Sequence, residues 1–195
     1  MKFHGISSTL FGSPARAAVL TTMLRSPGQD LTGREVARRA GVSPPRAMEA
    51  LRVLESQHMC FQRRVGRASL WRLEEQHFLV KRLAPLADLE IAPRRALIDL
   101  LSHHLEGAEE AYLFGSVAQG RDEWDSDVDL LLVFPDERTK RRWEQGRNAL
   151  QDAVLAKFGN HLQPITYTRR ALSRRGPRRL IAQARATGLP LGAPL

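Results

Sequence analysis

Leu113 to Phe134 reads LFGSVAQGRDEWDSDVDLLLVF. It opens on apolar Leu113-Phe114, turns at Gly115-Ser116, crosses a polar segment and enters a strand that begins Asp127-Val128-Asp129. Leu130 to Phe134 is an apolar run of the length expected of a buried central strand. Side chains alternate along a strand, so Asp127 and Asp129 share one face, with Cα atoms roughly 6.6 Å apart. Carboxylates so placed repel unless a cation lies between them, and Mg²⁺, which takes oxygen ligands, is the usual occupant. Gly115 lets the backbone approach a ligand closely. A short helix opened by Ser116 would turn its N–H groups and hydroxyl toward a phosphate. A solvated turn uses similar residues, but here the acids continue into the strand. Asp122, Glu123 and Asp125 are read as solvated loop residues.

Gly-Ser-x-Ala-x-Gly at 115–120, then Ser-Asp-x-Asp at 126–129 and an apolar strand, resembles the nucleotidyltransferases of the DNA polymerase beta superfamily. It looks most like the minimal nucleotidyltransferases found as antitoxins. The resemblance runs from roughly Glu106 to the C-terminus and implies an α+β core with a small mixed sheet. It also implies transfer of a nucleotidyl group from ATP or another nucleoside triphosphate to a toxin-like protein partner, with Mg²⁺ or Mn²⁺. Carried over by position, Asp127 and Asp129 are the catalytic and metal-binding acids, and Gly115, Ser116, Arg121 and Ser126 bind the nucleotide. The superfamily usually adds a third carboxylate from a neighbouring strand, which helps deprotonate the acceptor. That strand should be Leu162 to Thr168, which holds no acid, and no Asp or Glu follows Asp152. Gln163 stands about where the third acid is sought. Gln119 replaces an arginine frequent in the antitoxin pattern, with Arg121 close enough to substitute.

Upstream, Ser13-Pro14 pairs an N-cap with proline at the first helical position and predicts a helix from Pro14 to about Arg25. Thr32-x-x-Glu35 has the form of a capping box. It opens a helix that carries Val36, Ala37 and Ala40 inward and stops at Gly41. Ser43 caps the next, which places Ala47, Ala50, Leu51 and Leu54 on one face. Cys60 to Val65, Gly66-Arg67 and Ala68 to Leu73 then read as a two-stranded ribbon with a basic tip. Helices joined by a short glycine-containing turn and followed by a ribbon resemble a winged helix-turn-helix DNA-binding domain. The resemblance implies Ser43 among the DNA-binding residues, Arg46 and Arg52 at the major groove, and Arg63, Arg64 and Arg67 at a minor groove or phosphates. A domain that only mediates dimerisation would show the same pattern.

The chain of 195 residues carries a formal charge of +9, which suits an anionic partner such as nucleic acid or nucleotide. Met1 to Pro85 holds fourteen Lys or Arg against six Asp or Glu; Glu106 to Leu195 holds fourteen against twelve. The excess is therefore concentrated in the first part. No apolar run approaches a membrane span, and the single cysteine, Cys60, permits no intramolecular disulfide, so a reducing cytoplasm is expected. Between the two parts, Leu79 to Leu89 and Pro93 to Leu105 read as helices that link the domains, or that form a homodimer contact through Leu97, Leu100 and Leu101.

Downstream, Arg138 to Phe158 reads as a long amphipathic helix, with Trp143, Leu150, Val154 and Phe158 inward. A strand over Leu162 to Thr168, a helix capped by Thr168 and another opened by Pro177 follow. The tail from Gly188 packs on the domain or a partner. Ala153 to Leu195 carries eight cations and no acid, read either as a solvated surface or as a polyanion contact. The expected organisation is a winged helix-turn-helix over 1–85, a helical linker over 86–105 and a nucleotidyltransferase domain over 106–195. Functionally, three readings stay open. The first is a DNA-binding regulator that transfers a nucleotidyl group to a protein; the second is a regulator whose second domain only senses nucleotide; the third is a transferase acting on RNA or a small molecule.

Overall fold

A computed structural model describes residues 1–4, 12–66, 68–89 and 91–192. The chain divides into two compact units, Gly5–Glu90 on one side and Met1–His4 with Ile91–Leu195 on the other.

The first unit begins with α1 (Pro14–Leu24), α2 (Gly33–Ala40) and α3 (Pro44–Ser56). Ser13 accepts the Arg16 N–H at 3.4 Å, and Pro14 sits at the first helical position, where its missing N–H costs nothing. Thr32 accepts the Glu35 N–H at 3.2 Å. Only that half of the capping box forms, because the Glu35 carboxylate turns to Arg39 at 2.6 Å. Gly41 closes α2 with φ of 66°, in the left-handed region that glycine adopts without strain. Ser43 stands at the N-cap of α3 but makes no side-chain capping bond. The ribbon, β2 (Cys60–Val65) and β3 (Ala68–Leu73), pairs antiparallel from Cys60 opposite Leu73 to Val65 opposite Ala68. The sequence suggested two strands; a third, β1 (Leu31–Thr32), pairs with β3 and gives the order β1-β3-β2. Val19, Met23, Val36, Leu51 and Trp71 form the centre of this unit's core. α4 (Phe78–Leu83) and a 3-10 turn over Ala84–Asp88 complete it.

The second unit is α+β. Its sheet runs β6-β5-β4-β7, built from β4 (Glu110–Phe114), β5 (Val128–Phe134), β6 (Leu162–Thr168) and β7 (Leu189–Pro190). β5 lies parallel to β6 and antiparallel to β4, and β4 lies antiparallel to β7, so the sheet is mixed. α5 (Ala92–Ser102) and α7 (Glu137–Phe158) supply one apolar layer. Leu97, Leu101, Trp143, Leu150, Val154 and Phe158 join Val128, Leu130, Leu132 and Phe134 there. α8 (Arg175–Thr187) supplies another, where Ile181 and Ala184 join Phe114, Leu131 and Val133. Between them β5 is apolar on both faces, which explains its unbroken run. α5 falls within the segment expected as a linker. Its Leu97 and Leu101, and Leu105 beyond it, are fully buried in the core of the second unit, so Leu97 and Leu101 are not free for a dimer contact. The tail forms β7 and buries Leu191; residues 193–195 lie outside the described residues. Arg169–Ser173 is a 3-10 turn, and Thr168 gives it no side-chain cap. No helix among the described residues is long and apolar enough to cross a membrane.

Candidate active site

β4 delivers the chain into α6 (Gly115–Gln119), and a polar loop then returns it to β5. Phe114 pairs with Asp129 across the antiparallel register, which brings the Gly115-Ser116 turn beside the acid pair. Asp127 stands one residue ahead of the strand, which starts at Val128 rather than Asp127. Gly115 has φ of 75°. A Cβ on it would collide with Asp129 Oδ2 and stand 3.0 Å from Asp129 Cγ. Two constraints, backbone conformation and close approach, therefore require glycine at this place. The Asp129 carboxyl is held above the ordinary carboxylate range by burial first and by the Asp127 charge second. The pair is thus a concentration of negative charge, half withdrawn from water.

Asp129 lies opposite Gln163 in the parallel register, so β6 does present Gln163 beside the acids. Its amide Nε2 donates to Asp127 Oδ2. The side chain where the sequence looked for a third carboxylate is thereby a hydrogen-bond donor to Asp127. Glu144 does not replace it, because it accepts from Thr166 Oγ1 at 2.9 Å and stands on α7, against the other face of the sheet. Among the described residues no three acids, histidines or cysteines cluster closely enough to hold a metal. Asp127 and Asp129 can supply carboxylate oxygens to one divalent cation, which would relieve the repulsion that adds to burial in raising Asp129. A second cation would find only an amide on β6.

Of the other expected nucleotide ligands, Arg121 is exposed and donates to Gln119 Oε1, while Gln119 reaches Thr187 of α8 at 3.3 Å. Ser126 Oγ accepts the Glu123 N–H at 2.8 Å, so it also shapes the loop. Asp122 corrects the expectation of a solvated loop. It is 3 % exposed and accepts from the Phe3 N–H and from His4 Nδ1. Burial opposes its charge, yet these bonds outweigh burial and hold its carboxyl below the ordinary range. Asn160 is a further residue that sequence reasoning passed over. Buried beyond Gly159, it bonds Met1 O at 3.0 Å and Ser126 O at 2.8 Å. In the sequence nothing about its place after the helix-ending Gly159 sets it apart.

In the first unit, Ser43, Arg46 and Arg52 are exposed at the start and along the outer side of α3. Arg63 and Arg64 are exposed on β2, and Arg67 lies outside the described residues. Arg63 is already paired: it and Arg72 both bond Asp30, Arg72 at 2.8 Å. Cys60 is buried, and burial pushes its thiol up to about 12, so it is an inert core residue.

No curated protein matches the chain. Among solved structures, an archaeal chromatin protein, TrmBL2, described as showing a novel mode of DNA binding, is 17% identical. That match covers 88% of this chain and 71% of the other at a TM-score of 0.28, too low to support a shared fold. The family comparison is more specific. Residues 95–168 match the family described as polymerase beta, nucleotidyltransferase, and this segment holds the Gly115-Ser116 turn, both acids and β6.

Proposed function

We infer that the second unit binds a nucleoside triphosphate with Mg²⁺ or Mn²⁺ and transfers its nucleotidyl group to a protein acceptor, in the manner of an antitoxin-type transferase. The observation that carries this reading is the Asp129 carboxylate resting on the backbone of Gly115, beside Asp127. Asp127 and Asp129 would hold the cation, and Gly115-Ser116 would face the phosphates. The bound cation would neutralise phosphate charge and orient the α-phosphate. In the transfer itself, an acceptor oxygen forms a bond to that phosphorus, pyrophosphate leaves, and the acceptor gives up a proton. Asp127 and Asp129 would hold that cation, and so the phosphate bound to it, while Gln163, bonded to Asp127, fixes the orientation of that carboxylate. Gln163 has no basic group with which to take the proton.

That last point favours a second reading, in which the unit senses nucleotide without transferring it. The first unit, with exposed Arg46, Arg52 and Arg64, is read as binding duplex DNA, which would make the protein a cytoplasmic transcriptional regulator. Calorimetric titration with the four nucleoside triphosphates, with and without Mg²⁺, tests the common core of both readings. Binding should require the cation, and Asp129→Asn should weaken it more than the roughly 100-fold that losing a partner of a metal ligand costs. Equal affinity in the variant would sink the two-acid site. Gln163→Glu separates the two readings. A general base contributes about 10² to 10⁴ in rate, so a transferase short of one should gain nucleotidyl transfer to itself or a partner. A sensor would show no transfer in either form.

A further inference from the structure

The loop between the Gly-Ser turn and the acid pair is held by residues from the far end of the chain. Asp122 has both carboxylate oxygens taken, one by the Phe3 N–H and the other by His4 Nδ1. The Phe3 ring is fully buried, its centroid 5.5 Å from that of Phe158. A Cβ on Gly120 would come within 3.5 Å of the His4 ring, so the segment lies against the first residue after α6. Lys2 meets Glu123 at 2.9 Å. At the other end of the loop, Asn160 joins Met1 O to Ser126 O, the carbonyl just before Asp127. Residues 1–4 therefore touch the loop at Gly120, Asp122 and Glu123 and, through Asn160, at Ser126. An apolar residue at 122 would serve packing alone. A buried carboxylate that draws hydrogen bonds from this segment on both oxygens instead makes the shape of the loop depend on the segment being in place.

We propose that Met1–His4 is a strap and that Asp122 is a positioning residue, together setting the distance between Gly115-Ser116 and Asp127-Asp129 and hence nucleotide affinity. The proposal rests on the nucleotide reading above only for its last clause.

The test uses the full chain. Hydrogen exchange of the amides of 115–129 is compared, without nucleotide, in the wild type, His4→Ala, His4→Asn and Asp122→Asn. Exchange in His4→Ala should speed about tenfold, the scale of one lost charge-assisted hydrogen bond, while exchange in α7 stays constant. His4→Asn, which keeps a donor near the place of Nδ1, should restore protection. Mg²⁺-nucleoside triphosphate affinity should fall about tenfold in His4→Ala and recover in His4→Asn. His4 is partly exposed, so its removal decides the matter even if Asp122→Asn fails to fold. Unchanged exchange over 115–129 in His4→Ala overturns the strap. Faster exchange with unchanged nucleotide affinity overturns the positioning role. If the wild type binds no nucleotide at all, the reading in the previous section fails, and the exchange result still decides whether the strap holds the loop.

Discussion

β5 presents two faces with the same alternation and different fates. Its even-numbered residues, Val128, Leu130, Leu132 and Phe134, are all buried under α5 and α7. On the odd-numbered face, Leu131 and Val133 are equally buried under α8, but Asp129, next to the strand's start, is only partly covered. One face is core from end to end; the other is core at two of its three positions and carries an acid of the candidate site at the third. The apolar half gives the acid pair a rigid base, which a site at a strand end needs if its geometry is to hold without ligand.

The largest effect expected from this contrast comes from truncating the core. Leu131→Ala and Leu132→Ala should each cost about 2–5 kcal/mol in denaturant unfolding, as buried leucines do. They should part company in nucleotide titration, where only Leu131→Ala, on the carboxylate face, lowers affinity. Equal effects on affinity would mean that the two faces are not independent. Gly115→Ala comes next. Its positive φ costs about 1–3 kcal/mol, and the new methyl displaces the Asp129 carboxylate. Loss of cation-dependent binding, larger than the loss of stability explains, is the expected result.

Asp129→Asn should raise the thermal midpoint at neutral pH while removing binding. The sign follows from the raised carboxyl. The native state holds this proton more tightly than the unfolded chain does. The stability it contributes is therefore present below about pH 3.9, the ordinary carboxylate value, and is lost as pH rises through the higher native value. The advantage of the asparagine variant should accordingly vanish in acid, and a constant advantage at all pH values would contradict the charge argument. The smallest effect belongs to the edge of the same face. Arg185 bonds Glu110 at 3.0 Å near the surface, and Arg185→Ala should cost less than about 1 kcal/mol and respond to salt.

Much of this contrast was legible in the chain. Period-two alternation placed Asp127 and Asp129 together, and the apolar run placed β5 at the centre. Caps at Ser13 and Thr32 and the glycines 41 and 159 marked helix ends, because these are local rules written in adjacent residues. Gln163 was placed near the acids by the family resemblance, which looks for a third carboxylate on the neighbouring strand. What stayed hidden depends on pairs distant in sequence. β1 is two residues long and has no strand pattern of its own; it exists because β3 offers an edge. α5 reads like any amphipathic helix, and nothing local says which unit receives Leu97 and Leu101. Asp122 looks like any loop acid until Phe3 and His4 arrive from more than a hundred positions away. The same distance concealed Asn160.

That separation bears on how the molecule assembles. The bonds of Asp122 to Phe3 and His4 span 119 and 118 positions, and the Asn160 bond to Met1 spans 159. The whole of Gly5–Glu90 lies inside the loop those bonds close. Loop-closure entropy grows slowly, about 0.6 kcal/mol for each doubling of length, so the bonds are affordable at equilibrium. Kinetically they are remote contacts, and remote contacts form slowly. α5, the sheet and α7 have nearer partners and can assemble while the N-terminal residues are still unattached. During synthesis those residues leave the ribosome long before Asp122 and Asn160 do, so for much of that time Phe3 is an aromatic side chain with no native neighbour. Its attachment is expected to be a late event of folding, and a chaperone that shields isolated aromatic residues would have its longest opportunity there.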